Sequence, residues 1–102
     1  MTRPPLDPEI ATFVARMTRA WSQHPPFMTL PLAEARAVAE QVREPWRTGG
    51  PTMARTLDRQ VPTPTGPLPI RLYDPGVDTP APALIYLHGG GFTLFSIETH
   101  DR

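Results

Sequence analysis

The chain has 102 residues, of which 39% are apolar, 20% charged and 8% aromatic, a composition that fits one small soluble globular domain and excludes a large two-domain enzyme within this chain alone. Ten arginines balance ten acidic residues, six and five of them in residues 1–47 and four and five beyond, so neither half carries the excess expected of a nucleic-acid binder or a polybasic membrane anchor. Lysine and cysteine are both absent, which removes Walker-type phosphate loops, Schiff-base chemistry, disulfide scaffolds, thiolate metal sites and cysteine nucleophiles.

The longest apolar run, Ala83 to Leu87, is far short of the roughly 20 residues of a membrane span. Leu6-Asp7-Pro8-Glu9 interrupts any apolar leader, so a cytoplasmic location is expected. Fifteen prolines are about three times ordinary usage. None falls in residues 10–24 or 32–44, so they punctuate the chain and leave room for regular elements.

Asp7-Pro8-Glu9 reads as a helix start, with a side-chain cap, proline at the first helical position and an acid in the first turn. Ile10, Phe13, Val14, Met17 and Trp21 recur at helical spacing, and Pro25-Pro26 predicts an end near His24. A second helix is expected with Thr29 as its cap, with Leu32, Ala35, Val38, Ala39 and Val42 on one face and its end at Pro45. Arg16, Arg19, Arg36 and Arg43 are most simply a solvated face.

After Gly49-Gly50-Pro51 the period falls to two. Leu68, Ile70 and Leu72 alternate with Pro69, Arg71 and Tyr73, the pattern of a half-buried strand at a sheet edge. Arg55 to Val61 is a weaker candidate for its antiparallel partner. Asp74-Pro75-Gly76 makes a turn, and Val77 to Pro82 a linker. Ala83-Leu84-Ile85-Tyr86-Leu87 does not alternate, as in a strand buried on both faces of a parallel sheet. Such a strand needs parallel neighbours and covering helices, and only one more helix could begin, near Ser96 to Arg102. The chain is therefore expected to be the N-terminal part of a larger α/β protein, or one chain of a complex.

Next comes His88-Gly89-Gly90-Gly91-Phe92. Successive glycines let the backbone bring bare N–H groups close to a ligand, and fixed N–H donors stabilise the oxyanion that forms when an acyl carbonyl becomes tetrahedral, each worth about 2.7–4 kcal/mol of barrier. A dinucleotide-binding Gly-x-Gly-x-x-Gly would need glycine where Leu94 stands. A purely structural glycine loop is the bland alternative. His24, His88 and His100 have no helical or finger-type ligand spacing, so no metal and no cofactor are expected.

A His-Gly-Gly-Gly run on a loop after a buried strand resembles the oxyanion motif of α/β-hydrolases of the hormone-sensitive-lipase family, which includes bacterial acetyl esterases. Pro64 to Tyr73 looks like the family's first hairpin, Leu84 to Phe92 like its third strand and loop, and Ser96 to Arg102 like the start of the next helix. The resemblance implies an α/β-hydrolase fold, N-terminal portion only, with residues 1–47 as a helical cap and 48–102 as the start of the core. It implies a short-chain carboxylesterase working through a serine acyl-enzyme on a small-molecule ester.

Carried over by position, Gly90 and Gly91 would supply oxyanion N–H groups, Gly89 would shape the turn and His88 would brace the loop. Phe92, Phe13, Trp21 and Phe27 are candidate substrate-lining residues, although apolar residues at helical spacing are more often plain packing. The family's Gly-x-Ser-x-Gly elbow is missing: neither Ser22 nor Ser96 is flanked by glycines, so nucleophile, acid and base would come from the remainder of a hydrolase or a complementing chain. Where family members usually carry glycine a few residues after the motif, this chain has Phe95. A non-catalytic fragment or interaction module that needs a partner chain is the rival expectation, and homo-oligomerisation is left open.

Overall fold

A computed structural model describes residues 2–78 and 80–102. The first helix, α1, spans Pro8–Ser22. Asp7 caps it by accepting the Glu9 N–H at 2.8 Å, Pro8 opens the first turn, and Arg19 lies in the last turn, where a cation meets the negative end of the helix dipole. The helix turns its apolar stripe only partly inward. Phe13 meets Trp46 edge-on at 5.2 Å and Trp21 packs on Phe27 at 5.7 Å, whereas Ile10 and Val14 stay exposed.

The second helix, α2, spans Leu32–Arg43 with Pro31 at its N-cap, two residues later than a Thr29 cap would give. Thr29 instead lies in a 3-10 turn, Phe27–Thr29, and its hydroxyl donates back to the Pro26 carbonyl at 2.6 Å. The hydroxyl is thus turned to the preceding turn and caps no N–H group of α2. Ala35, Ala39 and Val42 are the buried apolar residues among those described, and all lie on one face of α2. A further 3-10 turn, Glu44–Trp46, carries Trp46 back onto Phe13.

Strands β1, Arg55–Val61, and β2, Leu68–Asp74, form an antiparallel pair in which Leu57 faces Leu72, Asp58 faces Arg71, and Val61 faces Leu68. Thr63 and Gly66 exchange backbone hydrogen bonds to close the connection. The pleat puts Leu57, Val61, Leu68, Ile70 and Leu72 on one side and Asp58, Arg71 and Tyr73 on the other. On the polar side it is Arg71 alone that is well covered. The Arg71 side chain is only 13% exposed, while Leu68 and Leu72 lie open to solvent.

The expected buried strand is not present as such. Residues 83–87 carry no regular structure and no ladder partners, and Leu84, Ile85, Tyr86 and Leu87 are 71–92% exposed. A parallel strand is made by its neighbours, and the two strands described here pair only with each other. The expected helix after Ser96 is represented by one 3-10 turn, Glu98–His100. The radius of gyration, 17.0 Å, exceeds the roughly 13 Å of a compact domain of about this size. The structure is thus an assembly of local units around a small helical contact.

Candidate functional site

Residues 88–95 form a tight loop. Gly90 and Gly91 have φ of 134° and 62°, and Phe92 and Phe95 follow with φ of 57° and 74°. Left-handed backbone costs a non-glycine residue of order 1–3 kcal/mol and persists only where its surroundings enforce it. Phe95 thus takes a glycine-like conformation at the position where the resemblance leads one to expect glycine.

The loop closes on its own carbonyl groups. Gly90 O accepts the N–H groups of Thr93 at 3.1 Å and Leu94 at 3.0 Å, Gly91 O accepts the Thr93 hydroxyl at 3.0 Å, and the His88 imidazole lies 2.8 Å from Gly89 O through Nδ1. A carbonyl only accepts, so His88 Nδ1 carries the proton in that bond. Among the described residues, no N–H group of residues 89–92 donates a hydrogen bond. Successive unpartnered N–H groups around left-handed backbone form a concave, electropositive nest for an anionic oxygen.

Gly90 is the one glycine of the run that packing dictates. A Cβ there would sit 2.2 Å from the Leu94 carbonyl oxygen, whereas at Gly89 and Gly91 nothing comes within 4 Å. His88 stacks on His100 with ring centres 5.1 Å apart and planes 19° from parallel, and Phe95 meets His100 edge-on at 5.7 Å. Burial, followed by the nearby Arg43 charge, holds the His100 imidazole below its ordinary pKa.

Beyond the loop, Ser96 and Thr99 cap each other. The Ser96 N–H donates to Thr99 Oγ1 at 3.0 Å and the Thr99 N–H to Ser96 Oγ at 3.4 Å, the reciprocal arrangement of a helix start. Thr99 is fully buried, and its hydroxyl is spent on the Ser96 carbonyl at 2.9 Å. Neither serine is poised as a nucleophile: Ser96 Oγ donates to Glu40 at 3.1 Å and Ser22 Oγ to the Arg19 carbonyl at 2.7 Å.

Of the candidate substrate-lining side chains, Phe92 is fully exposed beside the glycines. Phe13 is engaged with Trp46 and Trp21 with Phe27, so these three share the helical unit. Arg16 is exposed, as the solvated-face reading has it, and lies 5.2 Å over the Trp46 ring. Arg36 is exposed as that reading has it, although its Nε reaches the Thr93 carbonyl, whereas the solvated-face expectation fails for half-buried Arg43, which reaches the Thr99 carbonyl. The sequence did not mark Arg71 either. It binds Asp58 at 2.7 Å, Glu98 at 2.6 Å and Asp101 at 2.8 Å, pinning the Glu98–His100 turn to the hairpin.

No helix among the described residues is long and apolar enough to cross a membrane. No known family model matches the chain.

Proposed function

We propose that this chain supplies the oxyanion-binding loop and the flanking helices of a serine carboxylic-ester hydrolase of α/β-hydrolase type, acting on short-chain acyl esters. The supporting observation is the loop of residues 89–92, in which the Gly89, Gly90 and Gly91 carbonyl groups accept hydrogen bonds from the loop itself while the N–H groups of residues 89–92 donate none among the described residues. An ester carbonyl oxygen placed in that nest would receive the Gly90 and Gly91 N–H groups. As a serine oxygen bonds to the acyl carbon and the carbonyl π pair moves to oxygen, those donors would stabilise the charge that develops. Collapse expels the alcohol, and water then releases the acid from the acyl-enzyme, with no cofactor. The serine, its base and the orienting acid are drawn from outside these 102 residues, because the two serines present hold structural hydrogen bonds. The exposed run Leu84 to Leu87 would be the strand that docks this segment beside further parallel strands.

The same exposed run favours a second reading, a non-catalytic module that pairs its open strand edge with a partner. One experiment separates the two. Polypeptide containing residues 1–102 joined to, or mixed with, a Gly-x-Ser-x-Gly segment is assayed with p-nitrophenyl acetate and labelled with a fluorophosphonate. The 102-residue chain alone should not hydrolyse ester above buffer, and activity with the label should appear on the added serine. Hydrolysis by the chain alone that follows the protein peak and is blocked by the label would overturn the proposal. Complex formation with no hydrolysis would favour the module.

A further inference from the structure

Arg36, Glu40, Arg43 and Arg47 follow one another at intervals of four, three and four residues, so they form a single stripe along α2 and the turn that continues it. Every member of the stripe ends on the segment just after the glycines. Arg36 Nε donates to the Thr93 carbonyl at 2.9 Å. Glu40 accepts the Ser96 hydroxyl at 3.1 Å. Arg43 Nη2 donates to the Thr99 carbonyl at 3.4 Å, and Arg47 Nη2 meets Glu98 at 3.5 Å. The first three contacts run in the same order along both segments, 36 to 93, 40 to 96 and 43 to 99, like rungs between two rails.

The rung nearest the nest falls at a telling place. Thr93 is the residue whose N–H and hydroxyl close the loop onto Gly90 O and Gly91 O, and Arg36 holds the other side of the same residue. On either side of Thr93-Leu94 stand Phe92 and Phe95, both in left-handed backbone. Two such residues so close together relax to ordinary φ unless outside contacts forbid it. The rungs at Thr93 and Ser96 bracket this strained stretch.

We propose that Arg36 and Glu40 are positioning residues, which hold Phe92 and Phe95 in left-handed backbone and thereby aim the Gly90 and Gly91 N–H groups into one nest. The helical unit and the glycine loop are then one device, and the register of α2 sets the geometry of the nest. The consequence for turnover rests on the ester-hydrolase proposal, whereas the consequence for loop structure does not.

The test measures amide hydrogen exchange by NMR on the full chain in Arg36→Ala, Glu40→Ala and Glu40→Gln variants. In both alanine variants the Thr93 and Leu94 amides should exchange at least about tenfold faster while the amides inside α1 and α2 keep their rates. Glu40→Gln, which retains an acceptor for Ser96 Oγ, should restore slow exchange. Joined to a nucleophile-bearing segment, Arg36→Ala should lower kcat by about a hundredfold with KM for p-nitrophenyl acetate unchanged. Unchanged exchange at Thr93 and Leu94, or acceleration spread evenly along α2, would overturn the positioning role. So would intact kcat in an active enzyme. Local acceleration with no ester hydrolysis in the unsubstituted joined protein would leave the positioning role standing and remove the ester-hydrolase proposal instead.

Discussion

Gly90→Ala is expected to cost an enzyme built on this segment about a hundredfold or more in kcat, the loss that follows removal of one oxyanion donor. Two independent features of the position add up. The new Cβ would meet the Leu94 carbonyl oxygen at 2.2 Å, a backbone atom with no rotamer to yield, and the φ of 134° is one that L side chains rarely adopt. The loop can accept the methyl only by opening the Gly90–Leu94 turn, and that turn is what leaves the N–H groups unspent. Gly91→Ala keeps the left-handed φ but meets open space, so its cost is the conformational penalty alone, about 1–2 kcal/mol. Gly89→Ala has neither problem and should be the mildest. Measuring kcat/KM for the three variants against p-nitrophenyl acetate, with melting temperature alongside, gives the order Gly90, Gly91, Gly89 from worst to best. Gly89→Ala as the most damaging of the three would contradict the loop geometry.

Arg71→Met should lower the melting temperature at neutral pH by about 5 °C, and the gap to the unsubstituted chain should close on acidification. In the native chain the hydrogen bonds from Arg71 hold the Asp58 and Glu98 carboxyls below their ordinary values, and Tyr73 followed by Arg71 does the same for Asp101. Depressed carboxyls contribute stability above their unfolded pKa values, 3.8 for aspartate and 4.5 for glutamate, and that contribution fades as pH falls through the lower folded values. Without the guanidinium, three carboxylates face one another with only Arg47 beside Glu98 and the Tyr73 hydroxyl on Asp101 to offset them. Their folded pKa values then rise, their mutual repulsion is largest at neutral pH, and protonation on acidification relieves it. Thermal melts from pH 7 to pH 3 check the sign. A gap that widens on acidification would show that Arg71 acts through packing, not charge.

Features carried by neighbouring residues were legible in the sequence. Asp7-Pro8-Glu9 and Pro25-Pro26 bracket α1 because caps and proline act within one turn, and Leu68, Ile70 and Leu72 reveal β2 through a local period. The start of α2 was misplaced because Thr29 had two uses for its hydroxyl, and the composition of the site cannot say which one wins. Residues 83–87 were read as a buried strand from side-chain chemistry, but strand formation depends on partners that a local pattern does not contain. At the candidate site, the glycine run announced the loop. Its closure through Gly90 O, the left-handed Phe92 and Phe95, and the partners of Arg36, Arg43 and Arg71 were not legible. For Arg36 and Arg43 those partners lie more than 50 residues away in the chain. An arginine on a helix has the same local signature whether it faces water or a distant carbonyl.

The exposed run Leu84-Ile85-Tyr86-Leu87 also governs how the chain behaves at high concentration. It is uncharged and free of proline, with β-branched Ile85 and aromatic Tyr86 between two leucines. Those are the attributes of a segment that nucleates cross-β stacking when left uncovered. Yield from a cell should therefore be limited by self-association, and an Ile85→Lys substitution, which plants a charge in the middle of the run, should raise the recovered monomer fraction even though it touches no contact within the folded chain.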